Sequence, residues 1–277
     1  MLAGDGTYDF KDNLGTGVEN QVPPMMVMTS YLETASDAAY AAVNGEDLLP
    51  DLAIGRLPAA TVEELERMVE KIVAFETSGN SFGGRSVLVS DNPDKAGDFV
   101  ADAETLASTA LKGQDVEKIY LSQLGATVTR SRILQAFDDG ASYVNYLGHG
   151  GIHLWANENI FDNDDVQSLA FQDQQPLLLT MNCLNGYFHF PYMNALSEEL
   201  LKAEGKGAVA VFSPSGLSVN SAAHVFHRLL LKELVSGGHA RLGDAVLAAQ
   251  SAYADSGALP EMIAIYHLFG DPALTLR

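Results

Sequence analysis

The sequence predicts an α/β protein: a mainly parallel sheet flanked by helices on both faces, with a smaller N-terminal subdomain. Three observations carry that prediction. From residue 87 onward short β-prone runs alternate with helical stripes, the pattern of strand–helix–strand crossovers. Two of those runs, 142–147 and 177–182, stop at a reactive side chain followed within three residues by glycine, as strands do where a parallel sheet presents its carboxyl ends. The segment Ser78-Gly79-Asn80-Ser81-Phe82-Gly83-Gly84 separates this alternation from an irregular first part. The division is therefore 1–78, a partial N-terminal subdomain, and 79–277, the larger subdomain that carries both reactive strand ends.

In order, residues 4–9 form a turn cluster, and Pro23-Pro24 precedes an apolar run at 25–28 that reads as a strand. Residues 35–43, with Ser36 and Asp37 at their start, read as a short helix or a turn, and 52–55 as a short strand. Thr61 and Glu64 make a capping box before the stripe of Leu65, Met68, Val69, Ile72 and Val73. Beyond the glycine-rich segment, strands are expected at 87–90, 116–121, 142–147, 177–182 and 208–213. Helices fall at 98–111, 131–137, 164–169, 195–203, 222–234 and 240–254, and a last strand at 273–276 follows Gly270-Asp271-Pro272.

Composition narrows the function. A chain of 277 residues with 47% hydrophobic and 19% charged residues can bury a sizeable core. The net charge of −20 argues against nucleic acid and against anionic membrane surfaces, and reads as solubility or life in salt. No apolar run approaches the roughly 20 residues of a membrane helix. The N-terminus lacks a signal-peptide pattern and looks like a domain cut from a longer protein. The single cysteine, Cys183, excludes an intrachain disulfide and is either a buried small hydrophobe or a nucleophile.

Its surroundings favour the nucleophile. The first strand ends Tyr146-Leu147-Gly148-His149-Gly150-Gly151 and the second Met181-Asn182-Cys183-Leu184-Asn185-Gly186. A thiol attacks a carbonyl as the thiolate, and an imidazole on a neighbouring strand can take its proton. The tetrahedral intermediate needs backbone N–H donors, and the amides of Gly150 and Cys183 are placed to serve. Trp155, six residues after His149, is assigned to the substrate groove wall, with simple packing as the alternative.

These motifs resemble the gingipain family of cysteine peptidases, of the same clan as caspases and legumains. The likeness extends to Ser36-Asp37 with Tyr40, to Pro50-Asp51-Leu52-Ala53-Ile54-Gly55-Arg56-Leu57, and to the closing Leu268-Phe269-Gly270-Asp271-Pro272. It implies a caspase-like fold and peptide-bond hydrolysis by a Cys183–His149 dyad through an acyl-enzyme. It also implies a third acid or orienter in the loop after 87–90, where Asp91 is chosen over Asn92 and Asp94. An acidic primary pocket would draw on Asp98 or Asp102, with Trp155 and Val219 beside it. The loop 213–219 has no aromatic residue where basic-specific members carry one, so specificity for arginine or lysine is only an expectation. Protein or peptide substrates, a secreted or cell-surface location and additional domains also follow from the resemblance.

No cofactor is required by this chemistry. Calcium on acidic turns such as 91–98 or 162–165 is an option that some family members take, although no EF-hand spacing is present. A zinc pair of His149 and His153 has two glycines between its members and no third ligand at a suitable spacing. Two rival functions use the same residues differently. A sortase-like transpeptidase would pass the acyl group to an amine. A non-catalytic secretion or binding scaffold would need neither Cys183 nor His149.

Overall fold

The computed structural model describes residues 1–45 and 47–276. The first part holds β1 (Leu2–Ala3), the hairpin strands β2 (Met26–Met28) and β3 (Glu33–Ala35), α1 (Ala38–Ala41), β4 (Arg56–Leu57) and α2 (Val62–Thr77). Then come β5 (Ser86–Ser90), α3 (Phe99–Ser108), β6 (Val116–Tyr120), α4 (Leu121–Leu124), α5 (Ala126–Asp138) and β7 (Tyr143–Leu147). A small hairpin, β8 (Leu154–Trp155) and β9 (Phe161–Asp162), leads to α6 (Asn163–Ser168) and β10 (Leu177–Met181). The chain closes with α7 (Leu196–Lys202), β11 (Ala210–Pro214), α8 (Asn220–Ser236), α9 (Leu242–Asp255), α10 (Glu261–Ile265) and β12 (Tyr266–Phe269).

Eight strands form one sheet in the order β1-β4-β12-β11-β10-β7-β5-β6, continuous across the 78–84 segment. Every neighbouring pair is parallel except β11 with β12. In β5, β7, β10 and β11 every residue is buried, which is why these runs lack the alternation of a strand with one wet face.

Two strand expectations fail. Residues 52–55 are not a strand; the strand is Arg56–Leu57, one step later. Arg56 is fully buried because Asp37 meets it with two carboxylate oxygens, Oδ2 to Nε at 2.8 Å and Oδ1 to Nη2 at 2.7 Å. Phe188 lies under the guanidinium at 4.3 Å. A charge in a central strand is tolerated only with such a partner. Likewise 273–276 is not a sheet strand: Thr275 bridges only to Arg241, while Leu274 and Leu276 tuck into the core. The strand is β12, hidden in an apolar run continuous with α10, where periodicity cannot separate helix from strand.

The capping box is half formed. Thr61 Oγ1 accepts the Glu64 N–H, but Glu64 takes the N–H of Ala60 instead of that of Thr61. Lys71 of α2 reaches across the fold and donates to the carbonyls of Leu200, Leu201 and Lys206, sealing the end of α7.

Candidate active site

β7 and β10 are parallel neighbours in which Leu147 pairs with Met181. Each strand delivers its reactive residue two positions later, His149 from one and Cys183 from the other. Adjacent strands lie roughly 4.8 Å apart, so equal offsets bring thiol and imidazole to the same level. Both line a cleft of about 40 Å³ with Phe99, Met181, Ser218 and Asn220. Among the described residues, the polar contacts of Cys183 Sγ are the Ser218 N–H at 3.4 Å and the Ser218 carbonyl at 3.8 Å, and no hydrogen bond joins it to His149. Burial pushes the Cys183 thiol up, and the Ser218 N–H only partly offsets this.

The acid on the imidazole is Asp94, not Asp91. Asp94 Oδ2 lies 2.9 Å from His149 Nε2. The carboxyl of Asp94 is held below its ordinary value, first by the Ala96 N–H and then by the imidazole. Asp91 grips the backbone: its Oδ2 accepts the His149 N–H at 3.0 Å and its Oδ1 the Asn92 N–H at 2.7 Å. Burial pushes Asp91 up despite those N–H groups. Phe99 meets the imidazole edge-on, ring centres 5.5 Å apart.

The loops are stitched from behind. Trp155 is fully buried, so it does not wall the groove; it stacks on Tyr146 at 4.4 Å and its Nε1 donates to Asn185 Oδ1 at 2.8 Å. Asn185, also buried, takes the Asn182 amide on the same oxygen and donates to the carbonyl of Gly151, both at 2.5 Å. It thus ties the His149 loop to the Cys183 loop, a role that its place in a turn-like Leu-Asn-Gly did not signal. Tyr146 O–H donates to the His149 carbonyl at 2.6 Å. A Cβ at Gly150 would fall 2.7 Å from the Cys183 carbonyl oxygen, and one at Gly148 would fall 2.6 Å from the Tyr146 hydroxyl. Only glycine fits at both. The Gly150–Trp155 bridge is closed by Gly151 N–H to Leu154 and Ala156 N–H to His149, which turns the Gly150 N–H outward from it. Just after the thiol, Leu184 has φ 63°, a left-handed conformation that costs a non-glycine residue of order 1 kcal/mol or more.

Comparison with known proteins decides the family. The sequence model of peptidase family C25 matches residues 1–277. The chain belongs to peptidase family C25. This is a family of cysteine-type peptidases, and its curated relatives include gingipain R2 and gingipain R1 of Porphyromonas gingivalis, each 25% identical over 267 residues. The match covers 87% of this chain but only 35% and 26% of those proteins, so the chain spans about a third or less of their length. Lys-gingipain of the same organism is 22% identical over 190 residues, 65% of this chain and 10% of that protein. The crystal structure of the Arg-specific cysteine proteinase gingipain R superposes with a TM-score of 0.80 at 22% identity, covering 100% of this chain and 63% of that one. A yeast separase–securin complex shares the fold more distantly, TM-score 0.55 at 13% identity over 79% of this chain and 14% of that one.

In this C25 chain the remaining expected pocket residues stand back from the cleft. Asp98 is spent as the N-cap of α3, accepting the Ala101 N–H at 3.0 Å. Asp102 lies behind the cleft wall, where it accepts the Asn220 amide at 2.9 Å and faces His224 Nδ1 at 3.6 Å. Val219 packs against the core, and its neighbours Ser218 and Asn220 line the cleft. Among the described residues no group of three or more His, Cys, Asp or Glu side chains is arranged to hold a metal ion. Asp162 and Asp165 cap α6 reciprocally, and Arg130 already sits 2.9 Å from Asp165. Among the described residues no helix is long and apolar enough to cross a membrane.

Proposed function

We propose that the chain is the peptidase unit of a larger protein and hydrolyses peptide bonds with Cys183 as nucleophile and His149 as proton carrier. The observation that supports this best is the shared register of β7 and β10, which sets the two residues at one level on adjacent strands. The thiol gives its proton to His149 as sulfur bonds to the scissile carbonyl carbon. The amides of Gly150 and Cys183 hold the oxyanion. Collapse breaks the C–N bond, the imidazolium protonates the leaving amine, and water then releases the acyl group from sulfur. Asp94 steadies the imidazolium, and Asp91 fixes the loop that carries it.

The expected basic primary pocket is modified in this reading. Asp102 is already engaged by Asn220, so its carboxylate is not free to meet an arginine or lysine side chain. The substrate is a protein or peptide, met outside the cytoplasm, with no cofactor in the reaction.

Acyloxymethyl-ketone probes bearing alanine or arginine test the assignment. Labelling of the wild-type chain, lost in Cys183→Ala and strongly reduced in His149→Ala, is expected. A folded chain that neither probe labels would overturn it.

A further inference from the structure

A second recess lies on the Leu184 side of the nucleophile. It encloses about 390 Å³ and is walled by Tyr8, Phe10 and Tyr187, with Met26 and Glu33 completing it. Among the described residues the Glu33 carboxylate has neither hydrogen bond nor ion pair. Phe10 is 55% exposed, a large aromatic left in water. Three aromatic residues and an unpaired carboxylate lining one recess are what a cation seeks: an aromatic face attracts it, and the carboxylate supplies the counter-charge. A net charge of −20 concentrates cations around the whole chain.

The recess is wired to the nucleophile loop. Tyr187 N–H closes a turn on the Leu184 carbonyl at 3.0 Å, one residue beyond Cys183. Tyr8 N–H bonds the His189 carbonyl at 3.1 Å, and the Tyr187 and His189 rings stand 4.0 Å apart. On the opposite wall, Thr34 beside Glu33 donates to the Ser215 carbonyl at 2.6 Å, next to Gly216, whose carbonyl takes the Leu184 N–H. The walls of the recess are therefore built on the same backbone that follows Cys183.

We propose that the Tyr8–Phe10–Tyr187–Glu33 recess is a subsite for a lysine or arginine side chain of the substrate, away from the scissile residue. As a substrate subsite it rests on the peptidase reading; as a cation site it stands on its own walls.

The test uses the full chain carrying Cys183→Ala and fluorescein-labelled octapeptides of alanine and glycine. A single arginine is moved along the peptide, and each peptide is matched by one with neutral, near-isosteric citrulline. At one or two positions the arginine peptide should bind about fivefold tighter than its citrulline twin, the scale of one exposed cation–π contact with a partly screened ion pair. The preference should vanish in Glu33→Gln, shrink in Phe10→Ser, and persist in Glu66→Gln, which removes the same charge from α2. The preferred peptide should also slow alkylation of Cys183 in the wild-type chain. No preference at any position, a preference that survives Glu33→Gln, equal loss in Glu66→Gln, or no protection of Cys183 would each overturn the proposal. Binding is read without turnover, so failure of probe labelling would sink the peptidase reading by a separate result.

Discussion

His149 and Asp94 meet at the rim of the cleft, Nε2 to Oδ2 at 2.9 Å, while Asp91 holds the backbone of the same histidine from beneath. Two carboxylates from one loop thus divide the work: one is set against the ring, the other against the loop. The rim pair is half-exposed, so water screens it, and its value lies in orienting the ring more than in binding energy.

Replacing the two acids should separate those roles. Asp94→Ala should lower kcat about tenfold, roughly 1.4 kcal/mol of transition-state stabilisation, with little change in unfolding. Asp91→Ala leaves the His149 and Asn92 N–H groups without their acceptor and should cost about 1–3 kcal/mol of stability as well as activity. Denaturant titrations beside steady-state kinetics check both. Equal stability losses in the two variants would refute the division.

The resting thiol is predicted to be protonated at neutral pH, because burial raises it and, among the described residues, no cation contacts the sulfur. The rate of iodoacetamide alkylation of Cys183 should therefore rise with pH through a midpoint above the ordinary thiol value of about 8.5. A midpoint near 6 would instead mean a preformed thiolate–imidazolium pair.

Asn220 shields Asp102 from the cleft. Asn220→Ala should enlarge the pocket and free that carboxylate, raising kcat/KM for arginine substrates several-fold relative to alanine substrates. An unchanged ratio in a peptide-substrate panel would mean that Asp102 does not reach the substrate.

The Asp37–Arg56 pair should carry stability out of proportion to its size. Burial pushes the Asp37 carboxyl up, but the Arg56 guanidinium and His267 outweigh it and hold it well below the usual range. A depressed carboxylate contributes stability above the ordinary carboxylate range and loses it as pH falls through its folded value. Asp37→Ala, which strands Arg56 in the core, should cost about 3–5 kcal/mol by urea unfolding at pH 7. A loss under about 1 kcal/mol would mean that water reaches the guanidinium.

Much of the fold was legible because buried strands and long helices write their period into the chain. Runs such as Leu177–Met181 and stripes such as that of Val62–Thr77 need no distant partner to be recognised. β4 and β12 were misplaced because their evidence is remote. Arg56 reads as a surface residue until Asp37 folds over it, and β12 becomes distinguishable from the end of α10 only once it pairs with β11.

By itself the sequence determined the α/β class, the family likeness and the two strand ends that carry His149 and Cys183, since these depend on local pattern and on the glycines that follow each reactive side chain within three residues. Tertiary structure alone decided which acid faces the imidazole, that Trp155 is a strut behind the loops, and that Asn220 covers Asp102. The physical reason is that a hydrogen bond requires about 3 Å and a fixed angle between groups far apart in the chain, and composition cannot encode that geometry.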